Sequence, residues 1–236
     1  MKRQQFFRGI NRGLPVGMGY LSVSFGFGVM AVAKGLHPWL AALISATNLT
    51  SAGQFAGLTL IVAAAGIWEI ILTQLVINSR YALMSLALSQ KMGERIGLLP
   101  RFFIAFFNTD EIFALAMAEK EPLTVPFLLG LGVLPILGWV GGTVLGALAG
   151  SLLPDALATA LGMMLYGMFI AIVLPVAKRE KPVLAVVIIS AALSCLLTFL
   201  PLLKNLSSGV AVVICTVAAA AIGAWLFPIP DEGEAT

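Results

Sequence analysis

Apolar residues occur in long stretches that charged residues separate. Six stretches contain no Asp, Glu, Lys or Arg, and each exceeds the roughly 20 residues that a helix needs to cross a hydrocarbon core of about 30 Å. Residues 70–90 and 102–118 are also apolar, but they carry charged residues near their middle. The pattern therefore predicts eight membrane segments. The six uncharged stretches are 13–33, 35–68, 122–154, 156–177, 182–203 and 205–230.

The second stretch has a polar centre that is poorly suited to a helix in lipid. Its side chains compete with the backbone for hydrogen bonds, and a broken helix is tolerated where protein or a water-filled cavity receives the freed backbone groups. We therefore expect the second stretch to be broken at mid-depth. The polar residues are Thr47, Asn48, Thr50, Ser51 and Gln54, with Gly53 among them.

The loop charges favour a second broken segment. Cytoplasmic loops of membrane proteins collect Lys and Arg. When residues 35–68 and 156–177 both return to the side they enter from, with both termini cytoplasmic, ten basic residues lie inside and three outside. The inside residues are Lys2, Arg3, Arg8, Arg12, Lys91, Arg95, Arg101, Lys178, Arg179 and Lys181; the outside residues are Lys34, Lys120 and Lys204.

This membrane topology predicts an all-α polytopic membrane protein with about six full spans and two broken or re-entrant segments. Each half then has three full spans, an odd number, so the second half is inverted relative to the first, as in many secondary transporters. We expect one transmembrane transport domain over residues 1–236, with halves at about 13–118 and 125–228. An acidic tail, 229–236, follows.

Composition excludes several classes of protein. Hydrophobic residues make up 60% of the chain and charged residues 11%, where a soluble domain has about 25% charged residues. The mean hydropathy is +1.02, so a soluble enzyme, a disordered chain and a disulfide scaffold are excluded. The net charge of +3 is too scattered to indicate nucleic-acid binding. The single histidine, His37, lies at a loop, so we expect neither a metal site nor a cofactor.

Three charged residues near the middle of spans are candidates for transport chemistry. Arg80 needs a partner or water at this depth, and Asp110 and Glu111 lie at a matching depth in the next span. We expect an ion pair between Arg80 and one of the two carboxylates, since adjacent helical residues diverge by about 100°. The trio marks an ion or proton path, with a purely structural clamp as the alternative.

Two further sets of residues predict a substrate site and a helix-packing face. The uncharged polar cluster, with Asn78 of the third segment, suits the charged groups of an amino-acid substrate, with interhelical hydrogen bonding as the alternative. The glycines recurring at every fourth residue of the fifth stretch predict a face for close helix packing, either static or sliding during transport. These glycines are Gly138, Gly142, Gly146 and Gly150.

Four motifs occur in this order along the chain: Ser51-Ala52-Gly53-Gln54-Phe55, Asn78-Ser79-Arg80-Tyr81, Thr109-Asp110-Glu111-Ile112-Phe113, and Gly138-Trp139 followed by Gly141-Gly142-Thr143. Together they resemble the AzlC family, the large subunit of bacterial branched-chain amino-acid exporters. The likeness implies export of leucine, isoleucine, valine or similar amino acids across the bacterial inner membrane, with a small hydrophobic AzlD-type subunit as partner. Gln54, Asn78, Arg80, Asp110 and Glu111 fall within the motifs.

Other classes remain as alternatives at this point. A channel with a glycine-lined pore has the same sequence features, and a membrane scaffold has fewer reasons for charges at mid-depth. Catalysis is not expected, because the residues offer no nucleophile with a base and no metal triad.

Overall fold

A computed structural model describes residues 2–92, 96–150, 170, 173–199 and 206–228 of the chain, and these residues form helices and connecting loops without a strand. The predicted all-helical membrane fold is confirmed. Within the described part, five helices are long and apolar enough to cross a membrane: α1, α4, α7, α8 and α9. The helices are α1 Lys2–Ala33, α2 Pro38–Thr47, α3 Ser51–Val62, α4 Ile67–Met92, α5 Leu98–Phe106, α6 Asp110–Ala118, α7 Val125–Ala149, α8 Lys181–Phe199 and α9 Ser208–Leu226.

The described residues fall into two compact units. The first draws on Met1–Leu58 and Asn78–Leu165, and the second on Thr59–Ile77 and Tyr166–Thr236. Each unit takes residues from both of the predicted halves, 13–118 and 125–228, so the units do not correspond to these halves. The inverted repeat stays a prediction.

The first unit is built around close packing of α1 on α7. A Cβ atom added to Gly138 would overlap the backbone of Gly17, and one added to Gly146 would overlap the backbone of Phe25. The two backbones therefore touch where both helices lack large side chains, as the glycine spacing of α7 predicts. Gly150 lies at the end of this face, where an added Cβ would stand 3.4 Å from the Cα atom of Val29.

The predicted break in the second stretch is present. Helix α2 ends at Thr47, and Asn48 has an extended backbone with φ −146° and ψ 110°. The Asn48 Oδ1 atom accepts hydrogen bonds from the backbone N–H of Thr50 at 2.8 Å and from its hydroxyl at 2.5 Å. This local pairing replaces helical hydrogen bonds, which is why asparagine is favoured at such turns.

A second break occurs where we expected a full span, and the prediction for residues 102–118 was wrong. Helix α5 ends at Phe106, and α6 begins at Asp110 after Thr109 in an extended conformation. Each helix has nine residues, or about 14 Å at 1.5 Å per residue, so neither crosses the membrane alone. The two carboxylates lie in the first turn of α6, where the helix dipole favours negative charge.

The predicted break in the sixth stretch, 156–177, lies almost entirely outside the described residues. In the second unit, α8 and α9 correspond to the seventh and eighth stretches. The Glu69 side chain accepts a hydrogen bond at 3.1 Å from the backbone N–H of Gly209, in the first turn of α9. This contact occupies one of the amide groups that the start of a helix leaves free.

Candidate functional site

The two helix breaks of the first unit border the same cavity, which has a volume of about 340 Å³. The α2–α3 break forms one part of its lining, and the end of α5 with the α5–α6 break forms another. Helix α4 contributes two side chains. The lining residues are Thr47, Asn48, Leu49 and Thr50; Asn78 and Tyr81; and Ala105, Phe106, Asn108 and Thr109.

Three of the five predicted substrate-binding residues line this cavity: Asn48, Thr50 and Asn78. The other two, Ser51 and Gln54, are not among the lining residues. Apolar side chains also line the cavity, among them Leu49 and Phe106. Polar groups at two helix breaks next to apolar side chains are the combination that a small amphiphilic solute requires.

Asn108 is a cavity residue that the sequence analysis missed. Its side chain is buried, and its Nδ2 donates a 3.2 Å hydrogen bond to Ser85 Oγ. Its Oδ1 atom is buried without a hydrogen-bond partner in the protein. Because an unmatched buried acceptor costs about 1–3 kcal/mol, this atom is suited to receive a donor from a ligand.

Arg80 of α4 forms an ion pair with Asp110 at the start of α6. The guanidinium also lies over the ring of Tyr81, 4.9 Å from its centroid, and one of its nitrogens is 3.3 Å from the Tyr81 hydroxyl. The two charged side chains are 43% and 35% exposed in the isolated chain. The pair therefore joins α4 to α6 beside the cavity, because Tyr81 both contacts Arg80 and lines the cavity.

Glu111 has a different partner from its neighbour Asp110. The Tyr20 hydroxyl, on α1, lies 2.5 Å from Glu111 Oε2 and 2.6 Å from Thr109 Oγ1. Tyr20 is buried, and Thr109 lines the cavity. A phenol thus connects the second carboxylate to the cavity wall.

Gln54 forms packing contacts in place of the predicted substrate contact. Its side chain is 1% exposed. Its Oε1 accepts a 2.9 Å hydrogen bond from Trp139 Nε1, and its Nε2 donates at 2.5 Å to Ser45 Oγ. Ser45 Oγ is in turn 2.7 Å from Thr143 Oγ1. Both ends of the amide are therefore occupied by a network that fixes α2 and α3 to α7, as the alternative of interhelical hydrogen bonding allowed.

The sequence contained a signal for the second break but none for Tyr20. Asn108 and Thr109 followed by two acidic residues form the usual start of a helix, with a capping residue and negative charge in the first turn. Tyr20 lies in an apolar stretch, and only the packing of α1 reveals its partners. In the described part of the chain, no group of three or more His, Cys, Asp or Glu residues is arranged to hold a metal ion.

Comparison with known proteins places this site in a family context. The family described as AzlC protein matches residues 15–153, which include both breaks and the cavity. The chain is 28% identical to the Inner membrane protein YgaZ of Escherichia coli (strain K12), over 96% of this chain and 94% of that protein. It is 34% identical to an uncharacterized membrane protein of Archaeoglobus fulgidus, over 74% of this chain and 77% of that protein.

A further relative is an uncharacterized membrane protein of Helicobacter pylori (strain 26695), which is 29% identical over 57% of this chain and 59% of its own. No solved structure matches the chain with statistical significance.

Proposed function

Because the chain belongs to the AzlC family, whose model matches residues 15–153, we propose that it is a secondary transporter exporting branched-chain or other apolar amino acids. Family membership and the membrane-spanning helices support a role in membrane transport. The finer assignment rests on one observation: two broken helices meet at a single cavity. Broken helices that face each other at mid-membrane are a recurrent way to build a solute site in secondary transporters.

The chemistry of the cavity supports an amino acid as the solute. A helix that begins inside the membrane presents free N–H groups, which attract a carboxylate, and a helix that ends there presents free carbonyls, which attract an ammonium. The start of α3 and the end of α5 both border the cavity. Leu49 and Phe106 supply apolar surface for the side chain. In this proposal Asn48, Thr50, Asn78 and Asn108 contact the substrate, and no cofactor takes part.

The charged trio supplies the energy coupling in this proposal. Arg80, Asp110 and Glu111 lie within two residues of cavity-lining positions, namely Tyr81 and Thr109. Ionisable groups beside a membrane-buried solute site mark ion or proton paths in transporters. A change in protonation at the trio can then alter the substrate site directly.

Partner and location belong to the same proposal. We expect a small hydrophobic AzlD-type subunit to complete the exporter in the bacterial inner membrane, with both termini of this chain in the cytoplasm. Lipid covers the remaining apolar surface.

Counterflow of labelled leucine, methionine and lysine tests the proposal in vesicles that contain the chain with and without its small partner subunit. Saturable exchange of leucine and methionine supports a carrier of apolar amino acids, and movement of lysine alone contradicts the substrate class. Arg80→Ala provides the inactive control. Unitary currents in a planar bilayer, without saturable exchange, favour a channel, and the absence of both favours a scaffold.

A further inference from the structure

The two adjacent carboxylates at the start of α6 differ in what holds them. Asp110 is paired with the permanent positive charge of Arg80. In the part of the chain that the structure describes, no Lys, Arg or His forms an ion pair with Glu111, which accepts a hydrogen bond from the neutral Tyr20 hydroxyl at 2.5 Å. The first carboxylate thus has a cation as its partner. The second is held by a group that accepts either form.

A phenol can satisfy a carboxyl group in both protonation states. The Tyr20 hydroxyl has one proton and lies within hydrogen-bond distance of two acceptors, Glu111 Oε2 and Thr109 Oγ1. When Glu111 is ionised, Tyr20 donates to it. When Glu111 is protonated, its own O–H can donate to the Tyr20 oxygen while Tyr20 donates to Thr109. The exchange needs only rotation of hydroxyl hydrogens.

The groups around Glu111 are few. Helix α1 contributes Tyr20, α4 contributes Arg80 and Tyr81, and α6 itself contributes Asp110. Helix α7 also packs against α6 but contains no titratable residue. Because Arg80 is already neutralised by Asp110, the surroundings leave Glu111 as the carboxylate whose charge is not compensated by its own ion pair.

Thr109 connects this carboxylate to the substrate cavity. Its hydroxyl accepts from Tyr20 when Tyr20 turns away from Glu111, and the same residue lines the cavity. Protonation of Glu111 therefore changes the hydrogen bonding of a residue in the cavity wall, two side chains away. This contact gives a direct physical route for coupling proton binding to substrate binding.

We infer that Glu111 is the proton-binding residue of the transport cycle and that Tyr20 is its positioning residue; the inference rests on the proposed exporter function. A proton from external water joins the Glu111 carboxylate to give the carboxylic acid. The same proton leaves to cytoplasmic water after the substrate has been released outside. One proton thus moves inward for each substrate that moves outward, no electrons are transferred, and the ion pair of Arg80 with Asp110 takes no part in the proton transfer.

Comparing net efflux with counterflow in reconstituted vesicles of the complete exporter tests this inference. Net leucine efflux from preloaded vesicles is measured with and without a proton gradient directed into the vesicles. Counterflow is measured with the same pH on both sides. Glu111→Gln, which mimics the protonated form that releases substrate, loses the stimulation by the gradient and keeps counterflow only at raised leucine concentrations. Tyr20→Phe keeps counterflow and shows a smaller stimulation. Glu180→Gln, at an exposed loop position, responds as the wild type does.

The results that overturn the inference are specific. Gradient stimulation of Glu111→Gln equal to that of the wild type excludes Glu111 as the proton site. Loss of counterflow at every leucine concentration in this variant indicates a packing role and also overturns the inference. Asp110→Asn is expected to lose both activities, because it leaves Arg80 without its anion.

A spectroscopic measurement decides the point independently of the substrate. In pH-difference infrared spectra of the purified complex, we expect the carbonyl band of a protonated carboxylic acid. The band should be missing in Glu111→Gln and present in Asp110→Asn. If the wild type moves no apolar amino acid, the proposed function fails, and the band still determines whether Glu111 binds the proton. Persistence of the band in Glu111→Gln overturns the inference.

Discussion

Trp139 donates a 2.9 Å hydrogen bond from its indole nitrogen to the side-chain oxygen of Gln54. Both side chains are almost completely buried, at 1% exposure each. The Trp139 ring also packs edge-on against Tyr20, with centroids 5.2 Å apart. Trp139 therefore contacts both Gln54, on the helix that follows the α2–α3 break, and Tyr20, which hydrogen-bonds Thr109 in the α5–α6 break. Of these residues, Trp139, Gln54 and Tyr20 are not among those that line the cavity.

Gln54→Leu should destabilise the protein without changing the residues that line the cavity. The substitution removes the acceptor of the Trp139 N–H and the donor to Ser45, leaving buried polar groups unmatched. We expect a loss of about 1–3 kcal/mol in the free energy of unfolding, measured by thermal unfolding in detergent. Ser51→Ala is the matched control on the same helix, because the Ser51 hydroxyl makes no hydrogen bond. Equal stability of both variants would contradict the assigned packing role.

Of the two helix breaks, one could be predicted from the sequence and the other was not. The first break was predictable because Asn48, Thr50 and Gly53 interrupt an otherwise uncharged stretch. The second was not predicted, because Asp110 and Glu111 lie in the middle of an apolar stretch long enough to span the membrane, although acidic residues after Asn-Thr also mark the start of a helix. The contacts of Tyr20 depend on the packing of α1 against α6 and α7, which no local pattern encodes.

The glycine face of α7 was likewise predictable from its spacing, but its partner was not. Gly9, Gly13, Gly17 and Gly28 of α1 all approach the α7 backbone, whereas Gly19 has nothing within 4 Å of an added Cβ. Small residues make close approach possible; the rotation of each helix about its axis decides which of them are used. The ion pair between Arg80 and Asp110 followed from matching depth, and its role in transport remains a proposal.

Gly142→Ala should weaken the α1–α7 packing. An added Cβ would overlap the Ser24 hydroxyl and the backbone carbonyl of Leu21, so the helices must separate. We expect destabilisation of about 1–3 kcal/mol, typical of overpacking. Gly141→Ala is the matched control, since nothing lies within 4 Å of its added Cβ. Thermal unfolding of the two purified variants compares them, and a Gly142→Ala protein as stable as Gly141→Ala would argue against rigid contact at this point.

Arg80→Ala and Asp110→Asn should each abolish export while leaving the protein in the membrane. Each change leaves one charge without its partner, and an Arg at the centre of a span carries a penalty of about 2.5–3.5 kcal/mol on the insertion scale. The exchanged pair, Arg80→Asp with Asp110→Arg, restores both charges and should recover part of the assembly. Vesicle counterflow measures activity, and size-exclusion chromatography measures assembly. Normal export by Asp110→Asn would remove the assigned role of this carboxylate.

Asn108→Ala should weaken substrate binding more than it weakens the fold. The change removes a buried Oδ1 acceptor that has no partner in the protein and lines the cavity. If a substrate ammonium donates to this atom, its loss costs about 1–3 kcal/mol, or about 5- to 150-fold in affinity. Ser85→Ala provides the control, because it removes the 3.2 Å hydrogen bond that Asn108 Nδ2 donates but leaves Oδ1 in place. The half-saturation constant for leucine counterflow should therefore rise in Asn108→Ala and stay near the wild-type value in Ser85→Ala. An equal rise in both variants would mean that Asn108 acts by fixing the α5–α6 break to α4, and the substrate contact would have to be assigned elsewhere in the cavity.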